Sequence, residues 1–221
     1  MRNRFSPLYL IAFITILVAM MLAVQFGIIT FTFQKLGLST NMAFLLLLGC
    51  LGGSMFNIPL FRIETPQGSD YTDSILHGLL RGGPFDHAGH TTIAINLGGC
   101  VIPLGFSIYL MFWNRLDLLQ VVSGITIVTL VSYLFSRPIP GLGIGMPFLI
   151  APLTAAVVAI TINSEQSAPL AYIAGTLGVL IGADLLHLRD IRQIGSPFAS
   201  IGGAGTFDGI FLTGLIAVLL A

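Results

Sequence analysis

Apolar residues in this chain gather into runs longer than the strands or amphipathic helices of a soluble domain, and the polar residues collect between them. A bilayer core of about 30 Å takes roughly 20 residues of helix. On that ruler seven runs qualify: Leu8–Thr30, Leu38–Leu60, Thr92–Trp113, Leu118–Phe135, Met146–Ile162, Leu170–Leu188 and Ile201–Ala221, the fourth and fifth being short. The pattern predicts an all-α fold, a single polytopic membrane helix bundle over residues 1–221 with about seven transmembrane helices. The loops are brief except 61–91, which is polar, rich in Gly and Pro, and holds His77, His87 and His90. No soluble domain fits in it.

Composition agrees with the pattern. Of 221 residues 55% are hydrophobic and 8% charged, with a mean hydropathy of +0.96, whereas soluble domains carry about 25% charged residues. Nine basic residues balance nine acidic ones, so no nucleic-acid partner is implied; the expected partner is the lipid bilayer. Cys50 and Cys100 sit beside glycines in apolar runs and read as small packing residues. The basic start MRNRFSP resembles a signal peptide, but the apolar run after it is too long for one and reads as the first membrane anchor.

Cytoplasmic loops collect Lys and Arg, and this orients the bundle. With seven spans, one side receives Arg2, Arg4, Arg62, Arg81, Arg137, Arg189 and Arg192, and the other only Lys35 and Arg115. The bias places the N-terminus and the histidine loop in the cytoplasm and Ala221 outside.

Depth then sorts the polar residues. Asn57, Asn96, Asp184, His187 and Asp208 all fall in the cytoplasmic halves of their runs. Intramembrane polar groups face bundle interiors or water-filled cavities, so a shared inward-opening cavity is expected. Asp184 and His187, three apart, would share a helix face. Gly205 and Gly209 form a GxxxG pair around Asp208, and small residues let helices approach closely.

Four roles follow from these residues. Asp184 and Asp208 could form a catalytic dyad, one protonated and one ionised, activating water against a peptide carbonyl. A metal site could use Asp86, His87 and His90 of FDHAGHT, with Asp184, His187 and Asp208 as a membrane-side complement; no cofactor other than such a transition metal is implied. The segment SRPIPGLGIGMP, 136–147, cannot be a regular helix, and its Arg137 and Gly143 could line a re-entrant ledge for a small molecule, ion or lipid headgroup. The bland alternative is a buried polar network that only holds the bundle together.

Three resemblances bear on this choice. GADLLHL in the sixth run and GGAGTFDG at the start of the seventh resemble the layout of the presenilin and signal peptide peptidase families, which implies intramembrane aspartyl proteolysis by Asp184 and Asp208 of a membrane-embedded peptide. The chain has GAGTFD where those families have GxGD. His87, His90 and Asp208-Gly209 are similar in order to the site-2 type zinc proteases, but HAGH is one residue shorter than HExxH and lacks its glutamate. NIPL, TIAINLGGCVIPL, SRPIPGLGI, IGADLLHLRDI and SIGGAGTFDGIFLTGLIAVLLA together resemble an uncharacterised family of small prokaryotic multi-pass membrane proteins, which implies a fold and a location in the cytoplasmic membrane of a prokaryote without an activity.

Overall fold

The computed structural model describes residues 15, 25–64, 90–139, 143–191, 198–203 and 209–221. Among them each of the seven apolar runs contributes one helix. These are α1 (Gln25–Lys35), α2 (Thr40–Gly53), α3 (Ile102–Trp113), α4 (Leu118–Phe135), α5 (Ile150–Ile162), α6 (Ser167–Val179) and α7 (Gly209–Leu220). A π-helical turn, Leu97–Val101, leads into α3, and another, Leu180–Leu185, continues α6.

The expectation of an all-helical chain needs correction. Strands β1 (Asn57–Glu64), β2 (His90–Asn96) and β5 (Phe198–Ile201) form one sheet in the order β1-β2-β5, with β1–β2 antiparallel and β2–β5 parallel. Strands β3 (Arg137–Ile139) and β4 (Gly143–Gly145) form a separate antiparallel pair. The second, third and seventh apolar runs are therefore part strand and part helix. Their chemistry says why: HTTIAIN is dense in β-branched residues, which suit a pleated surface, and Pro59 in NIPLFRIE cannot sit in a helix interior. Pro59 instead occupies an edge strand beside a register shift, where the missing N–H is tolerated.

Helix length and composition identify fewer candidate spans than seven. Among the described residues Leu118–Phe135 and Ser167–Leu185 are long and apolar enough to cross a membrane. A third candidate arises if α1 and α2, bent by 109° at their junction, are taken as one span. At 1.5 Å per residue the 12 residues of α7 reach only about 18 Å, well short of a bilayer core.

Helix α6 is the hub. It is buried on nearly every side, and α3, α4, α5 and α7 pack around it. Small residues make those contacts close. A Cβ at Gly175 would lie 3.3 Å from the Ala155 Cβ of α5 and from the Thr213 Cγ2 of α7, and one at Gly124 would lie 3.3 Å from the Ala174 Cβ. Gly178 and Gly182, spaced as a GxxxG pair, meet Val128, Thr129 and Ser132 of α4. Helix α4 buries one narrow stripe, Val121, Gly124, Val128 and Ser132. Its outer surface is apolar as well, with Leu119 75% and Leu134 63% exposed. A helix apolar all round belongs in a core or in lipid, so the outer face of α4 is compatible with membrane association.

Candidate functional site

At one end of the bundle α2, the two π-turns and the three-stranded sheet come together. Their backbones approach too closely for side chains. A Cβ at Gly98 would collide with the backbone of α2 at Cys50 and Ser54, one at Gly99 would collide with the Gly202 carbonyl, and one at Gly202 would lie 2.5 Å from the Cys100 Cβ. Gly202 (φ 81°) and Gly203 (φ 117°) also adopt left-handed backbone conformations, which end β5 and favour glycine.

Asp184 belongs to this junction. The π-turn carries it, half-buried, to the end of β5, where the Gly202 N–H donates to its Oδ2 at 2.9 Å. This bond ties the end of α6 to the segment that leads through 204–208 into α7. Single π-turns are rare and concentrate at functional sites; here the two lie at the same end of the molecule.

Asn57 and Asn96 are at this end too, on strands instead of the expected helices. They face each other in register across β1 and β2. The Asn96 Nδ2 donates to the Ser54 carbonyl at 2.7 Å and to the Asn57 Oδ1 at 3.0 Å, while its Oδ1 accepts from the Gly99 N–H at 2.7 Å, capping the π-turn. The Asn57 Oδ1 also accepts from the Ser200 hydroxyl at 2.6 Å. One amide pair thus joins α2, all three strands and the start of α3. Ser200 has this role without having been singled out, because it falls in the loop before the seventh run, where a serine carries no distinguishing signal.

His187 follows just past the π-turn and is buried against α4, its ring 4.8 Å from that of Tyr133 and its Nδ1 3.0 Å from the Gly182 carbonyl. With that carbonyl as acceptor Nδ1 carries the proton, which leaves Nε2 with the lone pair in the neutral ring. Arg137 and Gly143 occupy the β3–β4 pair, and β4 packs against the π-turn that bears Asp184. The Pro- and Gly-rich segment 136–147 thus contains a short β-ladder, with Arg137 exposed on it.

Of the loop residues expected as metal ligands, only His90 is described, and it is not drawn to the junction. His90 begins β2, exposed and opposite Glu64, and six residues of strand put it about 20 Å from Asn96. Asp86, His87, Gly205 and Asp208 lie outside the described residues. Among the described residues no three His, Cys, Asp or Glu side chains converge as a metal site.

Two features were not anticipated. On α4 the buried Thr129, Ser132 and Ser136 hydroxyls find no hydrogen-bond partner among the described residues. Other helical hydroxyls, such as Thr126 on the same helix, Thr154 and Ser107, donate to the carbonyl four residues back. At the opposite end of the bundle lies an amide cluster: the Asn163 Nδ2 donates to the Gln120 Oε1 at 3.0 Å, and the Gln166 Nε2 to the Asn114 carbonyl at 3.0 Å.

The bundle with its mixed sheet and Gly-rich junction defines a class of mostly helical protein with apolar outer faces. Within it, the chain belongs to the family described as protein of unknown function (DUF1614), whose model matches residues 51–220. No curated protein and no solved structure matches the chain.

Proposed function

We propose that the chain is a multi-pass protein of a prokaryotic cell membrane in which Asp184 and Asp208 act as the acid–base pair of an intramembrane aspartyl-protease-like hydrolase. The observation that carries this reading is the bond from the Gly202 N–H to Asp184, because it starts the short segment leading to Asp208 on the first carboxylate. In such a pair one carboxylate takes a proton from water as the water oxygen attacks a peptide carbonyl. The other, protonated, carboxyl donates to the carbonyl oxygen, and the amine leaves with a proton as the C–N bond breaks.

Apolar outer faces on α4 support the membrane assignment. Seven helices from seven apolar runs favour seven spans, with the N-terminus in the cytoplasm and the C-terminus outside. In that arrangement the strands and π-turns complete spans that the short helices begin, a use of irregular backbone tolerated where it is buried in protein or lines a cavity. Reporter fusions at Asn3 and Ala221 should label opposite sides of the membrane; labels on the same side would sink the topology.

A second reading, a carrier for a small molecule or ion, is favoured by the interrupted helices and by the unpartnered hydroxyls on α4. Broken helices converging on polar groups are a common design for carriers.

The substitutions Asp184→Asn and Asp208→Asn separate the readings, since an amide keeps the volume but cannot act as acid or base. For a hydrolase, each variant keeps its melting temperature and loses cleavage of a co-expressed single-span substrate by about 10²-fold or more. A carrier would lose pH-dependent flux with no cleavage to lose. Loss of thermal stability alone would reduce the pair to a structural tie.

A further inference from the structure

We infer that Arg137 and the β3–β4 pair bind the phosphate of an anionic glycerophospholipid. The inference rests on the membrane reading above, but on different residues from the carboxylate pair.

Helix α4 supplies the ruler. Its 18 residues rise about 27 Å, close to the thickness of a hydrocarbon core. Near its start, at the end of α3, Tyr109 stacks on Trp113 at 5.7 Å, and Phe112 and Trp113 are about two-thirds exposed. At its other end Tyr133 is exposed and its ring rests on His187. Aromatic rings of this kind mark the two headgroup levels of a spanning protein. Ser136 then leaves the helix in an extended conformation, and Arg137 opens β3 at the second of those levels.

The surroundings of Arg137 select the ligand. Its side chain is exposed, and among the described residues no carboxylate pairs with it. Phe135 and Ile139, two residues to either side of it, and Phe148 and Leu149, which follow β4, are each about half exposed. An exposed guanidinium flanked along the chain by half-exposed apolar residues suits a ligand with both an anion and hydrocarbon, which is a phospholipid and not a free anion. Guanidinium also matches phosphate oxygens through paired hydrogen bonds. The face belongs to the side of the membrane that receives most of the arginines, where basic groups meet anionic lipid.

Native mass spectrometry of the detergent-solubilised full chain, with equimolar phosphatidylglycerol and phosphatidylcholine, tests this. The wild type should retain phosphatidylglycerol about fivefold better, the ratio that corresponds to ~1 kcal/mol for one basic group at an anionic surface. Arg137→Gln should bring the ratio to parity, Arg137→Lys should keep part of it, and Arg115→Gln at the other end should leave it unchanged. Equal retention by the wild type, or an unchanged preference in Arg137→Gln, overturns the inference. Displacement of the lipid by millimolar inorganic phosphate would show a free-anion site and overturn it as well. Release of the protein from membranes by salt or alkali, before any detergent, would instead overturn the membrane reading. Should Arg137→Gln fail to fold, the wild-type lipid ratio and the phosphate competition decide.

Discussion

The two ends of the bundle use polar groups in different ways. At the end formed by Lys35, Asn114, Gln120, Asn163, Gln166 and Ala221, polar side chains finish ordinary helices. Asp117 caps α4 by accepting from the Leu119 N–H, Lys35 Nζ donates to the last carbonyls of α7, and the Ser167 hydroxyl donates to the Ala221 carbonyl. At the sheet end the same needs are met by interrupted backbone: two π-turns, two left-handed glycines and strands that begin where helices stop. A fold that only had to close its helices could have used amides at both ends. The irregular apparatus surrounds Asp184, and this asymmetry is the physical reason to look for function there.

The contrast is tested most severely at the glycines. Gly202→Ala puts a methyl group against Cys100 and forces a side chain onto a φ of 81°, with backbone on the opposing side that cannot step aside. Overpacking and left-handed strain together should destabilise the fold by about 4 kcal/mol. Gly105→Ala in α3 meets nothing within 4 Å and should stabilise by roughly 0.5 to 1 kcal/mol through helix propensity. Thermal unfolding in detergent reads both. Similar melting temperatures for the two variants would mean that the junction is not closely packed.

How much of this was legible in the sequence depends on what hydropathy can distinguish. The fourth run, Leu118–Phe135, has the bounds the structure gives it, because an uncharged, mostly apolar stretch of 18 residues between Asp117 and Ser136 leaves no shorter alternative. The second, third and seventh runs were extended into strands, because hydropathy alone scores Ile58 or Ile93 the same in either state. Local chemistry could have corrected this: Pro59, the Thr91-Thr92-Ile93 run and the glycines at 202 and 203 all argue against continuous helix. Asn57, Asn96 and Asp184 lie at one end of the bundle. Their partners were not foreseen, since Gly99 and Gly202 contribute backbone N–H groups, which no motif advertises, and π-turns have no sequence signature that periodicity detects.

The amides sharpen the comparison at intermediate size. Asn96→Ala removes three hydrogen bonds and leaves the Gly99 N–H and the Ser54 carbonyl without their partner in the junction. Buried polar groups left unpaired cost about 1–3 kcal/mol each, so a loss of about 3 kcal/mol is expected, accompanied by loss of whatever activity Asp184 supports. Asn163→Ala removes a half-buried cluster that water can partly replace, and about 1–2 kcal/mol is expected on the same scale, with activity intact. An Asn163→Ala variant that is fully stable in detergent and yet inactive would place function at both ends.

Smallest is the effect of Lys35. Its Nζ lies 3.3 Å from the Val218 and Leu219 carbonyls, where the negative end of the α7 dipole favours a cation, and 5.7 Å from the centre of the Phe31 ring. The side chain is largely exposed, so solvent and salt screen the interaction. Replacement by glutamine, which keeps a donor but removes the charge, should lower stability by only about 0.3–1 kcal/mol. Because the effect is electrostatic, the difference between Lys35→Gln and wild type should shrink as ionic strength rises and the Debye length falls to about 3 Å at 1 M salt. Melting temperatures measured in low and high salt check this. A difference that persists at 1 M would mean that Lys35 acts by packing its methylene chain against α1 and α7. In that case the amide end, too, would depend on shape instead of on the capping of helix ends.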